Sequence, residues 1–280
     1  MNVAAIFFIV VAAAFVVGFI ALTLRENFRR KKFFDAPFPP TWENILRRNV
    51  PVYVFLPNDL QEKLRRRIKE FLSEKTFEPC GGLREVSDEI AVTIAGWASV
   101  LTMNRAGEAW RTLHSVLVYP DAFAAPDDES ADPVGANGEI VRKEQGSRDG
   151  ESWTHGSVVF SWQRILRDAA LHGNGQNVVI HEFAHQIDSD DGIAGGRPDF
   201  RVPADARAWR EVAARELARL RSGDATTVID EYGTENPAEF FATSVEAFFE
   251  KSTAMKRAHP ELYALLSRLF ALDPASWGYS

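Results

Sequence analysis

The longest apolar stretch of the chain lies close to its first residue. Residues 3–24 form a run of 22 residues without a charged side chain. As an α-helix this run would be about 33 Å long, which is enough to cross a bilayer. A cleaved signal peptide is the alternative, but no basic residue precedes the run, and the run is longer than a typical signal core. We therefore predict a transmembrane anchor over residues 1–24.

A basic cluster follows the predicted anchor. Its cationic residues are Arg25, Arg29, Arg30, Lys31 and Lys32, and they stand beside one acid, Glu26. Because the cytoplasmic flanks of membrane spans carry an excess of Lys and Arg, the rest of the chain should lie in the cytoplasm. Contact of the cluster with lipid head groups would agree with this orientation. We expect a single-pass protein of the cytoplasmic (inner) membrane, with residues 25–40 as a basic, proline-containing linker.

Residues 41–280 carry the patterns of a folded domain. Apolar residues at helical spacing predict helices over 56–72, 87–103, 162–171, from 178 onwards, over 203–221 and within 231–250. The β-branched and aromatic runs 115–120 and 156–162 predict strands, and the polar interval 121–155 favours loops or a weak hairpin. The expected fold class is α+β, mostly helical with a small β-sheet.

Composition limits the partners that this domain can have. A net charge of -7 and a pI near 5.5 argue against nucleic-acid binding, because neutralising phosphates requires a basic face. The single cysteine, Cys80, excludes an internal disulfide and allows a reducing compartment. Small molecules, peptides or proteins remain as partners.

Residues with metal-site chemistry occur in the segment VVIHEFAHQID. His181, Glu182 and His185 form the pattern H-E-x-x-H. On a helix, histidines four residues apart project from one face, so that both imidazoles can bind one zinc ion. Glu182 would accept a proton from zinc-bound water and deliver it to a leaving amine. The surrounding residues are apolar, and burying this polar trio without a metal would be costly, so the motif favours a zinc centre over satisfied helix-face histidines.

A catalytic zinc site needs a third protein ligand, and the sequence offers three carboxylates. Glu239 is our choice, although Asn236, Pro237 and Glu239 also fit a helix cap with a capping-box glutamate. Glu246, two turns further along the same predicted helix, is a competing ligand. Asp188 is the third candidate, but on the histidine helix it is better placed to orient a ligand or to fix the following loop.

The motifs together resemble the Mlc titration factor A family of bacterial zinc peptidases. The resemblance rests on HEFAHQID, on the pattern Y-x-x-x-N-P-A-E-F-F-A, and on VLVYPDAF and GSVVFSWQ, and it covers most of residues 35–275. The site pattern is also similar to that of the catalytic domain of anthrax lethal factor. The resemblance implies a zincin-like domain in which Glu239 is the third zinc ligand and Tyr232 stabilises the reaction intermediate. It also implies aminopeptidase activity on short substrates, although an endopeptidase fits the motif equally well.

These patterns support two hypotheses of function. The first is a membrane-tethered zinc peptidase with one Zn²⁺ per chain, Glu182 as the base and a peptide or protein as substrate. In this hypothesis the strand over 156–162 lines the cleft and pairs with an extended substrate. The second is a catalytically silent zinc-containing protein that docks a regulatory protein partner. The presence of Glu182 beside the predicted ligands favours turnover.

Overall fold

The computed structural model divides the chain into two units, Met1–Pro39 and Pro40–Ser280. It describes residues 15–19, 23, 25, 28–105, 107, 110–121, 156–189 and 195–279. The predicted loops or hairpin over 121–155 fall almost entirely outside these residues.

The first unit contains the apolar run and the basic cluster. Residues 15–19 and 28–35 are helical, and the side chains of Phe15 and Phe19 are 77% and 72% exposed. Within the described residues, we find no helix with the length and apolar character that a membrane span requires. Most of the predicted anchor, however, lies outside the described residues, so the anchor stays a prediction.

The second unit is mostly helical. The α-helices in its described part are α1 (Pro40–Asn49), α2 (Asn58–Glu74), α3 (Asp88–Thr102), α4 (Trp162–Ala170), α5 (Val178–Asp188), α6 (Pro203–Arg221), α7 (Pro237–Glu250), α8 (Ser252–Ala258) and α9 (Pro260–Phe270). Three short 3₁₀ turns span Pro51–Phe55, Glu231–Thr234 and Pro274–Ser276. The periodicity of the sequence predicts α2 to α7 to within a few residues. It gives no prediction for α8 and α9.

A small parallel sheet accompanies the helices. Its strands are β1 (Thr76–Pro79), β2 (Ser115–Tyr119) and β3 (Ser157–Ser161), in the order β1-β2-β3. Val116 pairs with Phe77 on one side and with Val158 on the other. The predicted α+β class, mostly helical with a small sheet, is confirmed. Strand β1 is missing from the sequence prediction because its four residues, mostly exposed, have no alternating pattern.

Helix α5 lies at the centre of the core. It packs along α7 and also contacts α3, α4 and β3. Phe183, in the middle of α5, is fully buried, and its ring centroid lies 5.7, 4.7 and 5.9 Å from those of Phe71, Trp110 and Phe160. These aromatic contacts fix the apolar face of the helix whose other face carries the histidines.

The Phe183 cluster generates a prediction about stability. Phe183→Ala should lower the free energy of unfolding by about 3–5 kcal/mol, because it leaves a cavity among three rings. Denaturant unfolding of the purified chain measures this change. Leu171→Ala, at an exposed position, is the control and should change the stability by less than about 0.5 kcal/mol. A Phe183→Ala loss as small as that of the control would show that this packing does not hold α5.

Candidate metal centre

The two histidines of the motif are positioned by the capped start of helix α5. Asn177 is the N-cap residue, and its side-chain oxygen accepts a hydrogen bond from the backbone N–H of Ile180 at 3.1 Å. His181 and His185 are four positions apart, which places both rings on one face with their centroids 4.8 Å apart. Each histidine directs its Nε2 atom to the same point, and these two nitrogens are 3.1 Å apart.

Helix α7 brings Glu239 to the histidines. The side-chain oxygen of Asn236 accepts from the backbone N–H of Glu239 at 3.0 Å, and Pro237 occupies the first turn, so the predicted helix cap is present. The Glu239 carboxylate nevertheless faces the imidazoles. Its Oε2 lies 3.0 Å from Nε2 of His181 and 3.2 Å from Nε2 of His185. Glu239 thus occupies a capped helix start and also completes the cluster.

The three atoms form a triangle that fits a metal ion. Its edges are 3.0, 3.1 and 3.2 Å. In a tetrahedral zinc site with bonds of about 2.0–2.1 Å, neighbouring ligand atoms lie about 3.3 Å apart. Two imidazole nitrogens and one carboxylate oxygen are also the ligand set of a catalytic zinc site with an open fourth position. His181, His185 and Glu239 are the group in the described part of the chain that has this geometry.

Burial and mutual hydrogen bonds shift the pKa values of these side chains in opposite directions. Burial disfavours the charged imidazolium, but hydrogen bonds to Glu239 and Glu246 and the nearby charge of Glu182 outweigh it, so the pKa of His181 is raised well above its ordinary value. Burial would raise the pKa of Glu239, but hydrogen bonds to His181 and His185 lower it. A divalent cation held by His181, His185 and Glu239 would require their ligating atoms to be deprotonated, so it would compete with protons for this cluster.

A pocket opens beside the triangle. The residues that line it are Arg164, Gln176, Val178, His181, Glu182, Asp230, Tyr232, Thr243 and Glu246. Glu182 is 6% exposed and still reaches this pocket. Tyr232 lies on the 3₁₀ turn Glu231–Thr234, with its ring centroid 6.0 Å from that of His181. Glu182 and Tyr232 therefore lie at the same site as the three residues of the triangle. These five are the residues that the sequence predicts as metal ligands and catalytic groups.

The two other carboxylates considered as ligands have different contacts. Glu246 approaches the opposite nitrogen of His181, with its Oε1 2.8 Å from Nδ1. Asp188 accepts hydrogen bonds from the backbone N–H groups of Gly195, Gly196 and Arg197 at 2.7, 2.6 and 2.5 Å. Neither carboxylate therefore belongs to the triangle formed by the two Nε2 atoms and Oε2 of Glu239. Asp188 fixes the loop after α5, which is one of the roles that the sequence favours.

That loop also touches the helix that carries Glu239. Gly196 has a φ of +68°, and a Cβ atom there would lie 2.2 Å from the carbonyl oxygen of Pro237. The backbones of the loop and of the α7 start are thus in direct contact, and only glycine fits between them.

Sequence reasoning missed two buried acids at the start of α5. Asp168 accepts from the backbone N–H of Val178 at 2.8 Å and pairs with Nε of Arg164 at 2.9 Å. Glu250 accepts from the side-chain Nδ2 of Asn177 at 3.1 Å. Burial raises the pKa of both acids, although these hydrogen bonds oppose it. Glu250 follows Glu246 by one helical turn on the face that also carries Glu239, and that spacing is the signal that indicates it.

The α+β fold and the H-E-x-x-H triangle with a distant glutamate define a candidate metal centre of the metallopeptidase type. The model of the family described as glucose-regulated metallo-peptidase M90 matches residues 24–271. The chain therefore belongs to this family.

Individual relatives extend over most of the chain as well. A Synechocystis protein described as uncharacterised is 36% identical over 252 residues, which is 89% of this chain and 90% of the relative. Mlc titration factor A of Cronobacter sakazakii is 27% identical and covers 85% of this chain and 88% of its own length. Mlc titration factor A of Yersinia pestis is 28% identical, with 83% and 84% covered. The resemblance predicted from the motifs is confirmed.

The loop anchored by Asp188 gives a second prediction about stability. Asp188→Ala should lower the free energy of unfolding by about 2–3 kcal/mol, because the buried N–H of Gly196 loses its acceptor. Asp199→Ala, at an exposed position in the same region, should change it by less than about 0.5 kcal/mol. Denaturant unfolding of both variants is the measurement. Equal stability of the two would contradict an anchoring role for Asp188.

Proposed function

We propose that the protein is a zinc-dependent peptidase. The observation that carries this proposal is the triangle of His181, His185 and Glu239 at the edge of a pocket that Glu182 and Tyr232 line. A zinc ion held by these three residues would supply a Lewis acid and would lower the pKa of water to about 7.

The other two residues have complementary tasks in peptide hydrolysis. Glu182, next to a ligand histidine, accepts the proton of the attacking water and delivers it to the leaving amine. Tyr232, which lines the pocket from a separate turn, donates a hydrogen bond to the developing oxyanion of the scissile carbonyl. Glu182 thus acts in proton transfer and Tyr232 stabilises the oxyanion, and the scissile bond binds in the pocket between them.

We further propose that the enzyme is an aminopeptidase acting on short peptides. The carboxylates of Glu182 and Asp230 line the pocket, and they favour a protonated amino terminus. In the described part of the sheet, β3 pairs with β2 on one side only, so its other edge suits an extended peptide. An endopeptidase would cleave peptides with a blocked amino terminus, which an aminopeptidase leaves intact.

Zinc content and turnover, measured on the same preparations, test the mechanism. Wild type should contain one zinc per chain and hydrolyse members of a panel of amino-acid and peptide reporters. Glu182→Gln should keep the zinc and lose about 10²–10⁴-fold in kcat, since only the proton transfer is removed. Elemental analysis and initial rates are the measurements.

Glu239→Ala is the companion variant for this experiment. It should lose zinc as well as activity, because two histidines alone bind the ion weakly. Full activity of Glu182→Gln would refute the assignment of the base, and unchanged zinc in Glu239→Ala would refute the ligand set. A wild type without zinc would overturn the whole proposal.

A zinc-containing regulatory protein is the second candidate. The observation in its favour is that relatives carry the name Mlc titration factor A, which describes an action on another protein, Mlc. In this case a regulatory protein partner would dock on the chain, and Glu182 would have no chemical task. Wild type and Glu182→Gln would then both contain zinc and be equally inert toward every reporter.

We also propose that residues 1–24 anchor the protein in the cytoplasmic membrane, with residues 25–40 as a basic linker and the domain of residues 41–280 in the cytoplasm. The exposed apolar side chains of Phe15 and Phe19 support a lipid environment for this segment. The chain should stay in the membrane pellet after alkaline carbonate extraction, and protease should reach the domain only after cell lysis. Release by carbonate, or cleavage in intact spheroplasts, would contradict the anchor or its orientation, respectively.

A further inference from the structure

Glu246 engages both of its carboxylate oxygens at the start of helix α5. Its side chain is 7% exposed and projects from α7, two turns after Glu239. Oε1 lies 2.8 Å from Nδ1 of His181. Oε2 accepts a hydrogen bond from the backbone N–H of Asn177, the N-cap residue of α5. One side chain therefore contacts a histidine ring and the backbone of the helix that carries this ring.

These contacts determine which nitrogen of His181 is available to a metal. A carboxylate only accepts hydrogen bonds, so Nδ1 must carry the proton that lies between the two groups. In the neutral ring, Nε2 then has the free electron pair. Nε2 is the atom that points to Glu239 and His185.

We propose that Glu246 is a positioning residue that fixes the tautomer and the orientation of His181 for metal binding. Ligand histidines commonly donate their second N–H to a carboxylate, which also increases the basicity of the ligating nitrogen. The proposal rests on the zinc site described under the proposed function. It adds a residue that is not itself a metal ligand and acts through His181.

The second oxygen of Glu246 has a further role, because it connects two helices. Helix α5 carries His181 and His185, and α7 carries Glu239 and Glu246. By holding the N–H of Asn177, Glu246 ties the first turn of α5 to α7. The side chain that orients the first histidine therefore also contributes to holding α5 against α7.

Glutamine cannot reproduce this arrangement. Its side chain has the shape of glutamate but offers one acceptor oxygen and one donor group. In Glu246→Gln, the amide nitrogen must face either the N–H of Asn177 or Nδ1 of His181. The first arrangement places two hydrogen-bond donors against each other. The second requires Nδ1 of His181 to accept a hydrogen bond, and it therefore favours the tautomer whose proton is on Nε2, the proposed metal-binding atom.

Glu250 provides a matched control on the same helix. It lies one turn after Glu246, is 1% exposed, and accepts hydrogen bonds from the backbone N–H of Gly173 at 2.6 Å and from Nδ2 of Asn177 at 3.1 Å. Glu250→Gln therefore removes a buried carboxylate that accepts hydrogen bonds from a backbone N–H, a side-chain amide and the hydroxyl of Tyr279, but none from a histidine. A merely structural effect should appear in both variants.

The first test is the zinc dissociation constant of the full chain, measured by competition with a chromophoric chelator. Glu246→Gln should raise this constant by about 10–100-fold, and Glu250→Gln should leave it within about threefold of wild type. Thermal unfolding without metal records the structural cost of each substitution. Equal affinities of Glu246→Gln and wild type would overturn the proposal, and so would an equal loss in both variants.

The second test needs neither a variant nor bound zinc. In a long-range ¹H–¹⁵N spectrum of the metal-free wild type, recorded at alkaline pH where the His181 ring is neutral, the remaining ring proton should be on Nδ1, downfield and slow to exchange with solvent. An unprotonated Nδ1 would overturn the proposal even if Glu246→Gln does not fold. A wild type that binds no zinc but shows this proton would refute the proposed function and leave the orientation of His181 by Glu246 supported.

Discussion

The contact between helices α5 and α7 is the interaction on which the rest of the candidate site depends. Helix α5 supplies two imidazoles and a carboxylate, and α7 supplies the carboxylate that completes the triangle. Because a tetrahedral site tolerates only small changes in ligand distances, these helices must keep one register. Aromatic packing around Phe183 holds α5 on its apolar face, while the loop fixed by Asp188 touches the first residue of α7.

This arrangement places several carboxylates in the interior, where an unpaired charge is unfavourable. Three of these carboxylates accept hydrogen bonds at the start of α5. Asp168 accepts from Val178, Glu246 from Asn177, and Glu250 from the side chain of Asn177. The N-terminus of a helix has unsatisfied N–H groups and a partial positive charge, so it is a favourable place for buried acids. The acids in turn fix the first turn of the helix that carries the histidines.

Sequence reasoning predicts the parts of this site that depend on local spacing. His181 and His185 are four residues apart, so a helix alone brings them together, and the resemblance to known sequences supplies Glu239 and Tyr232. The role of Glu246 depends on the rotation of α7 against α5, which no local pattern specifies, and Glu246 therefore remained a rival ligand. For the same reason the parallel order β1-β2-β3 could not be predicted, since β1 is short and its partner lies 39 residues further along the chain.

The position of Glu182 distinguishes the two candidate functions on physical grounds. A site that only binds zinc needs the three residues of the triangle, and each of their side chains is compensated by contacts with the others. Glu182 is outside this triangle, yet its carboxylate is almost fully buried at the pocket. Burying such a group lowers stability, and a protein that only binds zinc gains nothing in return. If Glu182 accepts a proton beside a bound metal, its burial has a catalytic role. For this reason we place turnover ahead of silent binding.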